Sequence, residues 1–162
     1  MAAGNDQGTY TDAEVTALRR RVQVLEAEAG ENEQMRQLLS EEFSFRKAVI
    51  ERAAEGLCVC HATPDYPFVE FTVWNPRMQD LTGYSMDEIN RLGWYQTMYQ
   101  DPIIREEARQ RMAEMREGED LRNEQWQVTR ADGEKRVFSI ATSLLETSDG
   151  LIHALAHPGR HR

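Results

Sequence analysis

Residues 75–89 carry two helix starts and one helix stop, and every other segment has to fit around them. Asn75 offers a side-chain oxygen as a helix cap, and Pro76 falls at the first helical position, where no amide donor is missed. Gly83 supplies the left-handed conformation that closes a short helix after Thr82. Ser85 and Glu88 have the spacing of a capping box, so a second helix opens at once. Tyr84 and Ile89 hold the two positions of a hydrophobic staple, which sets the angle between the helices. The stretch predicts two short helices at a sharp bend.

On the N-terminal side, residues 57–61 read as a strand and Pro64-Asp65-Tyr66-Pro67 as a turn. Val69, Phe71 and Val73 alternate with Glu70 and Thr72, which marks a half-buried second strand. On the C-terminal side, residues 94–100 form an aromatic-rich connection holding Trp94, Tyr95, Met98 and Tyr99. Asp101-Pro102 repeats the cap-and-proline start. Ile104, Ala108, Met112 and Met115 then run as one apolar stripe down a longer helix that Gly118 ends. Asp132-Gly133 is a hairpin signal between strands at 121–130 and 135–145, and Asp149-Gly150 turns the chain into a last strand at 151–157. The pattern predicts an α+β fold. A five-stranded antiparallel sheet carries helices on one face and is preceded by a long N-terminal helix.

This order of elements, with Asn75-Pro76, Leu81-Thr82-Gly83-Tyr84-Ser85 and Glu88-Ile89 at its centre, resembles the PAS family of sensory and dimerisation domains over roughly residues 45–157. The resemblance implies that the two N-terminal strands pair at the middle of the sheet beside the last one. It also implies a small-molecule pocket between the helices and the inner sheet face. The positions able to line it are Trp94, Tyr95, Met98, Met112 and Trp126, with Ile140 and Leu144 behind. The alternative is that these side chains fill an ordinary core. Trp126 stands out as a large mid-strand residue whose indole N–H needs a partner if buried.

For cofactors the resemblance is informative by contrast. Flavin-photosensor members carry a reactive cysteine within the central helices, and residues 94–100 contain none. Haem-binding oxygen sensors place a histidine on the long helix, and residues 101–118 contain none. Neither a covalent-type flavin nor a helix-histidine haem is supported, and the cofactor stays unknown. Cys58, Cys60 and His61 do not form a metal motif, because strand alternation points His61 away from both thiols and no second ligand pair is present. The cysteines read as small buried hydrophobes. His153 and His157 would stand about 13 Å apart on a strand, too far to share a metal.

Ahead of this domain, Thr11 and Glu14 form a capping box that opens a long helical pattern. Val15, Leu18, Val22, Leu25 and Ala29 repeat by threes and fours as the seam of a coiled coil. The same register reaches Asn32, Arg36, Leu39 and Phe43, while Met35 and Leu38 offer a competing stripe and Gly30 a weak point where the register could shift. A helix over residues 11–54 would be about 60 Å long, well beyond the width of the domain that follows. Either two chains pair through Val15, Leu18, Val22, Leu25, Asn32 and Leu39, or the helix folds back on its own sheet. The sustained stripe between charged flanks favours the homodimer, with Asn32 setting register.

A net charge of −9 and a pI near 5.0 argue against nucleic-acid or anionic-membrane surfaces as partners. No apolar run is long enough to span a bilayer, the first residues lack the pattern of a signal peptide, and two cysteines fit a reducing, cytoplasmic setting. The expected organisation is a disordered start (1–10), the amphipathic helix (11–54), the domain (55–157) and a tail (158–162). No nucleophile–base grouping or phosphate-cradling loop is present, so the chain is not expected to be an enzyme by itself. The expected function is a regulatory sensor and dimerisation module of bacterial signal transduction. The alternatives are a ligand-free interaction domain, or the input piece of an effector histidine kinase or diguanylate cyclase. The Asp-Ile-Thr junction that usually follows the last strand in such sensors is replaced by His157-Pro158-Gly159. Either the chain was cut at a domain boundary of a larger sensor, or the output runs through the N-terminal helix, which the break at Glu55-Gly56 makes mechanically possible.

Overall fold

The bend forms as its local chemistry dictates. In the computed structural model, which describes residues 10–119, 121–148 and 151–160, Asn75 caps α2 (Pro76–Thr82) by accepting from the Met78 amide. Gly83 closes that helix in the left-handed region at φ 80°. Ser85 and Glu88 make both bonds of the capping box at the start of α3 (Met86–Leu92). The connection expected after it is instead a short helix, α4 (Trp94–Met98), because the Gly93 carbonyl accepts both the Thr97 amide and the Thr97 hydroxyl. The longer helix follows as α5 (Pro102–Arg116), capped by Asp101.

The chain divides into two units, Met1–Lys47 and Ala48–Arg162. The helix α1 (Asp12–Arg52) begins with the Thr11–Glu14 box: the Glu14 amide donates to Thr11 Oγ1 at 3.3 Å, and the Thr11 amide to Glu14 Oε2 at 2.8 Å. It buries none of its residues. No described helix is long and apolar enough to cross a membrane.

In the second unit, β1 (Cys58–Ala62), β2 (Val69–Trp74), β3 (Glu124–Thr129), β4 (Lys135–Glu146) and β5 (Ile152–Arg160) form one antiparallel sheet in the order β2-β1-β5-β4-β3. Gly133, at φ 83°, makes the β3–β4 hairpin. The turn expected at Asp149-Gly150 lies outside the described residues, as do most of the expected disordered start and the end of the tail. Of the two N-terminal strands only β1 lies beside β5, so β2 is at the edge and not in the middle. Asn90 of α3 covers that edge at one residue, accepting from the Phe71 amide at 2.8 Å and donating to the Phe71 carbonyl at 2.9 Å.

The tail is the clearest departure from expectation. Residues 157–160 continue β5, with Pro158 buried and opposite Ile140 of β4. Proline would end a helix, which is why the segment reads as a tail. Beyond Ala156, however, β5 has only β4 as a neighbour. Such a one-sided stretch accepts a residue with no amide donor. The core lies between the helices and the sheet face that carries Cys58, Phe71, Ile140 and Ala154.

Candidate functional site

Asn75 does more than cap a helix. It is 1% exposed, and its side chain makes four hydrogen bonds. Oδ1 accepts from the amides of Leu57 and Met78, both at 3.0 Å. Nδ2 donates to the carbonyls of Ile50 at 3.2 Å and Glu55 at 3.0 Å. One buried amide therefore ties together the last turn of α1, the entry to β1 and the start of α2. Gly56 sits inside this knot. A Cβ there would come within 2.8 Å of Met78 Sδ and Leu81 Cδ1 and 2.9 Å of the Pro158 carbonyl, so only glycine lets the chain pass.

Directly beyond the knot lies a small cavity of about 40 Å³. Period-two alternation brings Cys58 and Cys60 of β1, Val69 and Phe71 of β2, Ile140 and Thr142 of β4, and Ala154, Ala156 and Pro158 of β5 to its walls. Trp94 and Tyr95 of α4 and Met112, Met115 and Arg116 of α5 close it. Of the positions expected from the sequence, Trp94, Tyr95, Met112 and Ile140 meet here. Met98, Trp126 and Leu144 do not line it. Met98 is fully buried in the core, and Leu144 packs against the core's edge.

Trp126 belongs to a different feature. Phe71, Trp74, Trp94, Tyr99 and Trp126 form a run of edge-to-face and tilted ring contacts with centroids 4.9 to 6.4 Å apart, and Trp126 joins it through Tyr99 at 6.0 Å. Its indole N–H finds the partner it needs in Glu124 Oε2, at 3.3 Å. Glu124 is held in turn by Arg111, at 2.6 Å. Trp126 thus anchors a solid part of the core.

The one charged group on the cavity is Arg116, whose Nε is buried without a hydrogen-bond partner. Sequence reading passed over it, although it lies four residues beyond Met112, on the same side of α5. Burial pushes the Cys60 thiol up to about 11, against an opposing pull from the Arg116 guanidinium. Burial likewise raises Tyr95, again opposed by Arg116. Cys58 is raised well above the usual thiol value by burial, and then by its neighbour Cys60. Both thiols and the phenol are therefore neutral near pH 7. His61 points to the opposite sheet face, where its ring meets His153 at 5.3 Å. Among the described residues, no three His, Cys, Asp or Glu side chains gather as a metal site.

No protein-family model matches the sequence. No curated protein matches it. Solved structures do. A domain of a sensory box sensor histidine kinase/response regulator from Geobacter sulfurreducens is 24% identical, covering 73% of this chain and 95% of that one, with a TM-score of 0.55. The PAS domain of an HTR-like protein from Haloarcula marismortui is 16% identical over 80% of this chain and 99% of that one, with a TM-score of 0.59. A PAS domain from a two-component sensor histidine kinase gives 16%, 75%, 98% and 0.59 for the same measures. The chain has the PAS fold. At these identities the likeness establishes architecture alone. In this PAS fold the Asn75 knot and the cavity share β1, whose entry Asn75 holds and whose Cys58 and Cys60 form one wall.

Proposed function

We propose that the chain is a regulatory PAS module of bacterial signal transduction, which senses a small molecule in the cavity and transmits the signal through α1. The observation that carries this reading is the Asn75 knot. A ligand that displaces Cys58 or Cys60 moves β1, and β1 is bonded through the Leu57 amide to the same side chain that holds the Ile50 carbonyl. A small shift in the wall of the cavity is therefore delivered to the last turn of α1. The occupant is smaller than a flavin: the cavity has space for about three water-sized groups, and a tricyclic ring does not fit it.

In the same reading α1 pairs with α1 of a second copy through Val15, Leu18, Val22, Leu25, Asn32 and Leu39. Leu18, Val22, Leu25 and Leu39 are all at least half exposed, and covering them is favourable by about 25 cal/mol per Å² of apolar surface removed from water. Two of the three similar domains named above come from sensor histidine kinases, which supports an effector kinase as the destination of the signal.

Native mass spectrometry of the purified protein at roughly ten micromolar tests both halves at once. The expected species has the mass of two chains and carries a reproducible small molecule. It should dissociate when Leu18→Glu and Leu25→Glu are combined. A single-chain mass removes the coiled coil. A dimer with no bound molecule in any preparation turns the assignment to a ligand-free interaction domain.

A further inference from the structure

We propose that the cavity is a binding site for one soft metal ion, monovalent copper, held by the sulfurs of Cys58 and Cys60 on β1 and of Met112 and Met115 on α5. This rests on the sensory reading above and makes its occupant a single ion. All four sulfur-bearing side chains line the one cavity. The two thiols share a strand face and are close enough that a charge on Cys60 raises Cys58. β1 by itself offers no second pair of ligands, and α5 supplies it from the other wall. No harder ligand competes. The His61 ring is on the opposite sheet face, and the Thr142 hydroxyl already accepts from the Leu121 amide. Thiolate and thioether ligands without imidazole or carboxylate select monovalent copper over zinc, calcium or magnesium.

Volume and charge both fit. A cavity of about 40 Å³ takes a single ion whose ligands already stand in its wall. Burial keeps both thiols protonated in the metal-free chain. The ion displaces those two protons and forms two copper–sulfur bonds, so one positive charge meets two thiolates and the complex is left with one net negative charge. Arg116 already hydrogen-bonds the Cys60 sulfur and the Tyr95 oxygen, and its guanidinium is the counter-charge of that complex. Val69, Phe71 and Ile140 complete an apolar shell that keeps water from the ion. Cys60 and Arg116 are half-buried, which places the way in at their end of the cavity. The unbranched methionine side chains can then close on the ion from the side of α5. Both thiolates belong to β1, whose entry Asn75 ties to the Ile50 carbonyl of α1, so capture of the ion pulls on the connection to that helix.

The test is an oxygen-free titration of the full chain with monovalent copper against the coloured chelator bicinchoninate, with divalent zinc as the control ion. The chain should withdraw one copper ion from the chelator, leave zinc unbound, and melt at a higher temperature once loaded, because the four ligands converge only in the folded state. Cys58→Ala and Cys60→Ala should each abolish uptake. Met112→Leu and Met115→Leu conserve volume and should each weaken it. Arg116→Gln should weaken it by about tenfold to a hundredfold, the effect of losing a group that supports a ligand. If the cysteine variants fold poorly, the methionine variants carry the comparison. Copper affinity unchanged in both methionine variants, or equal uptake of zinc, overturns the site. So does a melting temperature that falls as copper is added, since the thiols would then be captured in the unfolded chain. If no copper binds while the native protein carries some other molecule, the copper assignment falls alone. If none binds and native preparations are empty, the sensory reading falls with it.

Discussion

α1 and α5 are written in the same code and put to opposite uses. Both open with a capping side chain, Thr11 in one and Asp101 in the other, and both carry an apolar residue every three or four positions. α5 buries Ala108, Met112 and Met115 against the sheet, while α1 buries nothing. Periodicity therefore reports that a helix has an apolar side, and only the contacts report what that side is for. The largest contrast should appear on trimming one methionine from each. Met115→Ala removes a side chain that is 1% exposed and should cost about 2 to 5 kcal/mol, read as a lowered urea midpoint of tryptophan fluorescence. Met35→Ala, at a position 57% exposed, should leave that midpoint unchanged. A domain midpoint that falls equally in both variants would break the comparison, since Met35 would then be covered by the core.

The same distinction separates what the sequence disclosed from what it withheld. The bend at residues 75–89 was legible because caps and left-handed glycines act on the neighbouring two or three amides. The Asp132-Gly133 hairpin was legible for the same reason. The place of Pro158 was not, because whether a strand tolerates proline depends on what lies beside it in the sheet, and β1 has already ended there. Size misled in the cavity. Trp126 drew attention as a large mid-strand side chain, yet Glu124, two residues away on the same strand face, takes its N–H, and Tyr99 takes its ring. Arg116 was passed over for its charge, although the spacing from Met112 already placed it on the buried side of α5. A charged residue falling on an apolar stripe was the available signal.

A pH scan sharpens the contrast next. The Cys60 thiol has an ordinary value of 9.0 and is pushed up to about 11, chiefly by burial. The unfolded chain therefore loses this proton first. Between those values the unfolded state holds fewer protons than the native one, so stability falls as pH rises. Cys60's contribution is fully present below pH 9.0 and is gone above about 11. The loss should amount to about 2 to 3 kcal/mol by the top of that window. Urea midpoints measured from neutral pH upward should show the decline, and Cys60→Ala should flatten part of it. The remainder belongs to Cys58, Tyr95 and Tyr99, which burial moves the same way. α1 offers no buried thiol or phenol, so substitutions along it should leave the slope untouched. A slope that survives unchanged in Cys60→Ala would mean the thiol meets water and the cavity is open.

The smallest effect is the most discriminating, because it compares identical chemistry in the two settings. Thr11–Glu14 and Ser85–Glu88 are the same capping box. Hydroxyl acceptors lie 3.3 Å from the amide in each, and the carboxylate bond back to the cap residue is 2.8 Å in one and 2.9 Å in the other. Thr11→Ala and Ser85→Ala should each remove about 1 kcal/mol of local helix stability. In α3 the loss should reach the whole domain, because Ile89 of that helix is fully buried and Asn90 holds the edge of β2. The urea midpoint should fall accordingly. In α1 the loss should stay local, appearing as faster amide hydrogen exchange in the first turn with the midpoint unmoved. A midpoint that shifts with Thr11→Ala would show that α1 is held by the domain's core, and would count against the proposed pairing of its apolar stripe with a second copy.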